Sequence, residues 1–169
     1  MSSLFRVLLD IALWRKGPQD LPASAFLLAM LTALYVAVSL VQVHLFGWGL
    51  LSTVVLVVID AAMMSAWVWM LLSLFKKKPR YLQTLSAIFG VSTLLGVMDA
   101  LMRLLLDAMG GGSGPTLWDL AQLILVAAIV GRILKLAIEG SMLTGVALTL
   151  AIVFSTSAVS QLFIQSPAS

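Results

Sequence analysis

The chain contains no cysteine, a single histidine, and Asp, Glu, Lys or Arg at only 10% of its 169 positions. Without thiols, disulfides, thiol catalysis and thiolate metal centres are excluded, while the redox compartment stays open. The lone His44 cannot make a bis-imidazole haem site or a multi-histidine metal centre. Near the end of an apolar run, it reads as an interfacial hydrogen-bonding residue, with a site role as the alternative. Ordinary soluble domains carry about 25% charged residues, so a chain this poor in charge cannot build a water-facing surface. Also missing are a Walker loop, H-E-x-x-H, G-x-S-x-G and any nucleophile beside a histidine in a polar loop. We therefore expect no enzyme, no catalytic residue, no metal and no cofactor.

What the chain does have is apolar length: 62% of its residues are hydrophobic. A spanning helix needs about 20 such residues. Five spans would take about 100 and leave short loops, with no room for a separate soluble catalytic domain. The expected fold class is all-α, an integral membrane bundle of five transmembrane helices preceded by a short N-terminal amphipathic interfacial helix. The formal charge of +3 does not signal nucleic-acid binding, because the basic residues sit in loops between apolar segments, as membrane topology requires.

Residues 1–22 form the first segment. Leu4, Leu8, Ile11 and Arg15 fall on one helical stripe, and Ser3, Arg6, Asp10 and Gly17 on another, the pattern of an amphipathic helix too short and too charged to span. With Trp14, Arg15 and Lys16 at its end, it resembles a helix lying on the cytoplasmic leaflet. Its charges argue against a cleaved signal, despite the A-x-A of Ala23, Ser24 and Ala25. Pro18 and Pro22 turn the chain, and Ser24 is placed to cap the next helix.

Residues 23–165 form one five-span domain with spans at 25–46, 50–75, 81–106, 116–137 and 141–164, followed by a polar tail at 166–169. Spans one and two, joined by Gly47, Trp48 and Gly49, read as a tight hairpin. Lys76, Lys77, Lys78, Pro79 and Arg80 end span two, and Pro79 keeps the helix from running straight on. The run Gly110, Gly111, Gly112, Ser113, Gly114, Pro115 is a loop. Nine of the ten basic residues, all but Arg103, fall on one side of this layout. That predicts a cytoplasmic N-terminus and an outside C-terminus in the cytoplasmic (inner) membrane.

Helices in lipid associate through small residues and polar contacts, since lipid tails are as apolar as leucine. Span three carries Ser86, Gly90, Thr93, Val97 and Ala100 on one face and Ser92, Gly96, Asp99 and Arg103 on another, which places it centrally. Ala127 and Gly131 on span four, and Ser141, Gly145 and Thr149 on span five, allow close approach.

Asp60 lies near the middle of span two. A carboxylate there costs about 3 kcal/mol on insertion scales, which some six leucines at about −0.5 kcal/mol each offset. It needs a partner, a cavity or a proton. It reads either as a packed residue meeting a serine or glutamine of another span, or as a proton or cation site. Asp99, Arg103 and Asp107 follow at i, i+4 intervals about 28 Å along the helix from Arg80, the spacing of an ion-paired ledge near the far interface. Lys76, Lys77, Lys78 and Arg80, with Arg15 and Lys16, are candidate contacts for anionic lipid or a partner, each cation being worth about 1 kcal/mol near such a surface.

The order of elements resembles the Yip family of small five-span membrane proteins. Tyr81, Leu82, Gln83, Thr84, Leu85, Ser86, Ala87, Ile88, Phe89, Gly90 looks like the start of that family's third span. Gly131, Arg132, Ile133, Leu134, Lys135, Leu136 looks like the end of its fourth. The D-L-Y-G-P signature of eukaryotic members is absent, and Gly17 to Pro22 only echoes its composition. The resemblance therefore implies a bacterial-type Yip-like protein that acts through partners, without the Rab GTPase engagement of eukaryotic members. The sequence points to a membrane scaffold, assembly or accessory subunit that binds a membrane-protein partner or a second copy of itself. The alternative is a small transporter or proton- or ion-conducting protein centred on Asp60.

Overall fold

The computed structural model of the chain describes residues 2–45, 49–110 and 117–164. Six α-helices account for most of them: α1 Ser2–Ala12, α2 Ala25–Leu45, α3 Leu50–Leu74, α4 Tyr81–Ala108, α5 Leu117–Ile138 and α6 Met142–Ile164. All five helices from α2 to α6 are long and apolar enough to cross a membrane. In a bilayer core, where no water can satisfy a backbone amide, such runs have little choice but to close their hydrogen bonds within the helix.

The helix ends follow local chemistry. Ser24 Oγ accepts the Leu27 N–H at 3.3 Å, capping α2 as expected. Before it, Pro18–Asp20 forms a single 3-10 turn in which the Asp20 carboxylate accepts the Gly17 N–H at 2.8 Å. Pro79 sits in a second such turn, Lys78–Arg80, that redirects the chain into α4. The turn expected at Gly47 and Trp48 and the glycine-rich run from Gly111 lie outside the described residues.

Around the bundle the helices neighbour one another in the order α2, α4, α5, α6, α3 and back to α2, and α4 also touches α1 and α3. Residues Thr84 to Val91 of α4 are buried without interruption, so the central placement of this span holds. Spans one and two are packed neighbours, with Tyr35 of α2 bonded to Asp60 of α3, but α2 packs more heavily on α4. The reason is room at Gly96, where an added Cβ would lie 2.9 Å from both Val38 Cγ1 and Gln42 Oε1 of α2.

A close crossing joins α5 to α6. A Cβ on Gly131 would come within 3.0 Å of the Val146 backbone, and one on Gly145 would collide with the Gly131 carbonyl oxygen. This is the small-residue approach that lipid favours. Elsewhere, Trp67 Nε1–H donates to Ser155 Oγ at 3.0 Å, tying α3 to α6.

Rather than resting on a leaflet alone, α1 roofs α4. Leu8 and Ile11 are 5% and 1% exposed, and Leu8 occupies the space left by Gly90. Phe5, Leu9 and Leu13 form its opposite, exposed face. Arg15, expected on one stripe with Leu4, Leu8 and Ile11, lies beyond the helix and is exposed. Arg132 of α5 fixes the end of the segment, donating to the Lys16 carbonyl at 2.8 Å with its guanidinium 5.7 Å from the Trp14 ring centre.

Candidate functional site

Polar groups gather at three levels of the bundle. Midway along α3, Asp60 accepts a hydrogen bond from the Tyr35 hydroxyl of α2, and the Tyr35 ring stacks on Phe89 of α4 at 4.8 Å between centres. The partner is thus a phenol rather than the serine or glutamine expected from sequence. Tyr35 was hidden because its ring reads as one more apolar residue in an apolar run.

Near the far end of α4, Asp99 is 4% exposed and takes donors from three helices. Gln42 Nε2 of α2 and Trp118 Nε1 of α5 lie at 2.8 Å, and Arg103 Nε, one turn along α4, at 2.9 Å. Arg103 Nη2 reaches on to Asp119 of α5 at 2.6 Å. Gln122 Nε2 donates to the Leu95 carbonyl at 3.3 Å. The ion-paired ledge therefore exists, with one correction. Its second carboxylate is Asp119, whereas Asp107 is exposed. Each i, i+4 step overshoots a helical turn by about 40°, so Asp107 is rotated about 80° from Asp99. Asp119 carries a negative charge in the first turn of a helix, a favourable position that could have singled it out. Gln42 gave no such signal. His44 falls in the last turn of α2, and its side chain lies outside the described residues.

At the opposite, basic end, the cations are partly committed to their own chain. Lys77 Nζ and Arg80 Nη2 each lie 2.6 Å from the Glu139 carboxylate. Arg80 Nη1 also donates to the Leu136 and Ala137 carbonyls at 3.2 Å, satisfying groups that the end of α5 would leave open. Lys78 Nζ stands 5.6 Å from the Trp69 ring centre, and Lys16 Nζ is 3.4 Å from Asp10. Lys76 and Arg15 are exposed.

Three helices end here on left-handed residues that are not glycine: Trp14 after α1, Lys76 after α3 and Glu139 after α5, with φ of 65°, 57° and 58°. Each costs about 1–2 kcal/mol relative to ordinary backbone, and such strain is kept where a side chain is needed. Trp14 and Glu139 both receive cations. Beside Glu139 a pocket of about 280 Å³ opens between the Pro18 turn, the start of α4 and the end of α5.

The hydrogen bonds and charges of Lys77 and Arg80 hold the Glu139 carboxyl below its ordinary range near pH 4.5. A lowered folded-state value means that the latch contributes fully above the ordinary range and is lost as pH falls through the lowered one. In unfolding scans from pH 7 to pH 3, we expect the gap between the native chain and Glu139→Gln to shrink across that acid window. A gap that does not depend on pH would show that the latch is not electrostatic.

No family model, curated protein or solved structure matches the chain. The described residues define its class: an all-α, multi-pass membrane protein with five candidate spans and a short N-terminal helix.

Proposed function

We propose that the protein is a non-enzymatic scaffold, assembly or accessory subunit of the cytoplasmic membrane that acts by holding a membrane-protein partner or a second copy of itself. Its N-terminus is cytoplasmic and its C-terminus outside, on the count of basic residues by side. The observation that carries this reading is what the intramembrane polar groups do. Asp60, Asp99 and Arg103 are each hydrogen-bonded to side chains of another helix, the use expected of residues that fix a bundle. A transport route needs successive stations open to water, and the pocket at the basic end is not lined by any of them. The resemblance to the Yip family, whose members act through partners, favours the same reading.

Crosslinking in the native membrane, mild solubilisation and mass spectrometry of what co-purifies test it directly. A stoichiometric partner or homo-oligomer is the expected result, and a lone monomer across several detergents overturns it.

The alternative, a proton- or ion-conducting protein, is favoured by Asp60 alone, an ionisable group at mid-span. Asp60→Asn separates the two. Asparagine keeps an oxygen to accept from Tyr35, so we expect stability within about 1 kcal/mol of the native chain and unchanged partner recovery. Loss of a proton-coupled flux with the fold intact would move the conclusion to transport.

A further inference from the structure

The polarity of α1 changes round the helix rather than along it. Leu8 and Ile11 make the face buried against the bundle, and Phe5, Leu9 and Leu13 make an exposed apolar face. At about 100° per residue, Arg6 and Asp10 form a polar strip between the two. A helix with three such sectors suits three media: packed protein, lipid and water. Each sector follows the helix lengthwise, so its axis lies in the membrane plane; an upright helix would change polarity from end to end.

Contacts made by the N-terminal segment give its depth. Gln83, which holds the Leu21 carbonyl, lies three residues, about 4.5 Å, beyond Arg80 along α4. Arg132, which holds the Lys16 carbonyl, lies about 6 Å before Leu136 along α5, and Arg80 bonds the Leu136 carbonyl. Leu8 is seated at Gly90, ten residues, about 15 Å, beyond Arg80. The chain therefore sinks as it is followed back from Leu21 into α1. With Arg80 among the headgroups, a layer about 5–7 Å thick on each side, Leu8 lies among acyl chains. That matches the depth of about 5–10 Å at which interfacial helices bury their apolar faces.

We propose that α1 is a wedge in the leaflet at the basic end, its outer face of Phe5, Leu9 and Leu13 covered by acyl chains, and that it draws the protein to membranes that bulge outward at that end. Lipid is the occupant because the face lies below the headgroups, and because Arg6 and Arg15, both exposed, can lay their stems along apolar surface and reach lipid phosphates. The helix has 11 residues, so it is about 16 Å long and about 10 Å across, and it adds on the order of 160 Å² to its leaflet. Among the described residues, no second short helix adds to the other leaflet. Area added to one leaflet alone is accommodated best where that leaflet is stretched, on the convex side of a curved bilayer. A wedge of this kind neither requires nor excludes a protein partner.

Because the chain has no cysteine, an introduced thiol is its only one. Leu9→Cys, spin-labelled in the full chain in vesicles of phosphatidylcholine and phosphatidylglycerol, should be relaxed by dissolved oxygen and lose relaxation by a water-soluble nickel chelate. It should match a label at Leu34→Cys, exposed on α2, and reverse one at Gln19→Cys, exposed in the turn after α1. Nickel access at Leu9 equal to that at Gln19 overturns the wedge. So does shielding from both reagents, which would mean that a protein covers the face. Curvature preference is read from orientation in small and large vesicles, as the fraction of Gln19→Cys that a membrane-impermeant thiol reagent reaches from outside. We expect a higher outward fraction in small vesicles, whose outer leaflet is strongly convex. Adding Leu9→Gln and Leu13→Gln should abolish that rise, while Leu9→Met and Leu13→Met, which keep the face apolar, should retain it. An outward fraction independent of vesicle size, or a rise that survives the two glutamines, overturns the proposal.

Discussion

Asp99→Ala should destabilise the bundle by about 3–5 kcal/mol, the cost of breaking a buried ion pair by removing one partner. Interhelical hydrogen bonds in membranes average only about 0.6 kcal/mol each, so losing the bonds from Gln42 and Trp118 accounts for about 1 kcal/mol. The remainder comes from Arg103, left one-quarter exposed with Asp119 as its remaining carboxylate. The same logic predicts that Arg103→Leu combined with Asp99→Leu recovers more than half of the loss, because no charge is then stranded. Equilibrium unfolding in mixed micelles measures both. A cost for Asp99→Ala below about 1 kcal/mol would mean that water already screens the cluster.

The second large effect should come from Gly145→Leu. Overpacking against side chains costs about 1–3 kcal/mol because they can rotate away. At Gly145 the obstacle is the backbone carbonyl of Gly131, which moves only if α5 and α6 separate along their crossing. We expect about 3 kcal/mol or more, or a protein that fails to accumulate. Gly90→Ala is the matched control. Its Cβ would meet only the tip of the Leu8 side chain, and a change of rotamer there costs about 1 kcal/mol. Similar losses at the two positions would show that the crossing is looser than its geometry indicates.

The contrast between these residues explains what could be read from sequence. Spans, the proline turns at Pro18 and Pro79 and the Ser24 cap are properties of contiguous residues, and so they were legible. Gly131 and Gly145 were visible as small residues on apolar helices, though nothing in either helix said that they meet. Asp99 and Arg103 pair within one helix, so spacing alone revealed them. Gln42, Trp118 and Asp119 complete that cluster from other helices, and which helix faces which is decided by packing at places such as Gly96. That α2 packs most heavily on α4 is illegible for the same reason, because the short connection to α3 constrains two ends without choosing the main neighbour.

The pairing of carboxylates with earlier helices also bears on how the chain is made. Ribosomes deliver it N-terminus first, so Tyr35 is already in the bilayer when Asp60 arrives, and Gln42 is there before Asp99. Neither acid has to wait for a downstream segment to find its first donor. Arg103 follows Asp99 by a single turn, and Trp118 and Asp119 close the cluster only when α5 enters. Asp60, Asp99, Arg103 and Asp119 thus each enter a membrane that already holds a group to receive them, and the ring closes last, when the uncharged α6 meets α3.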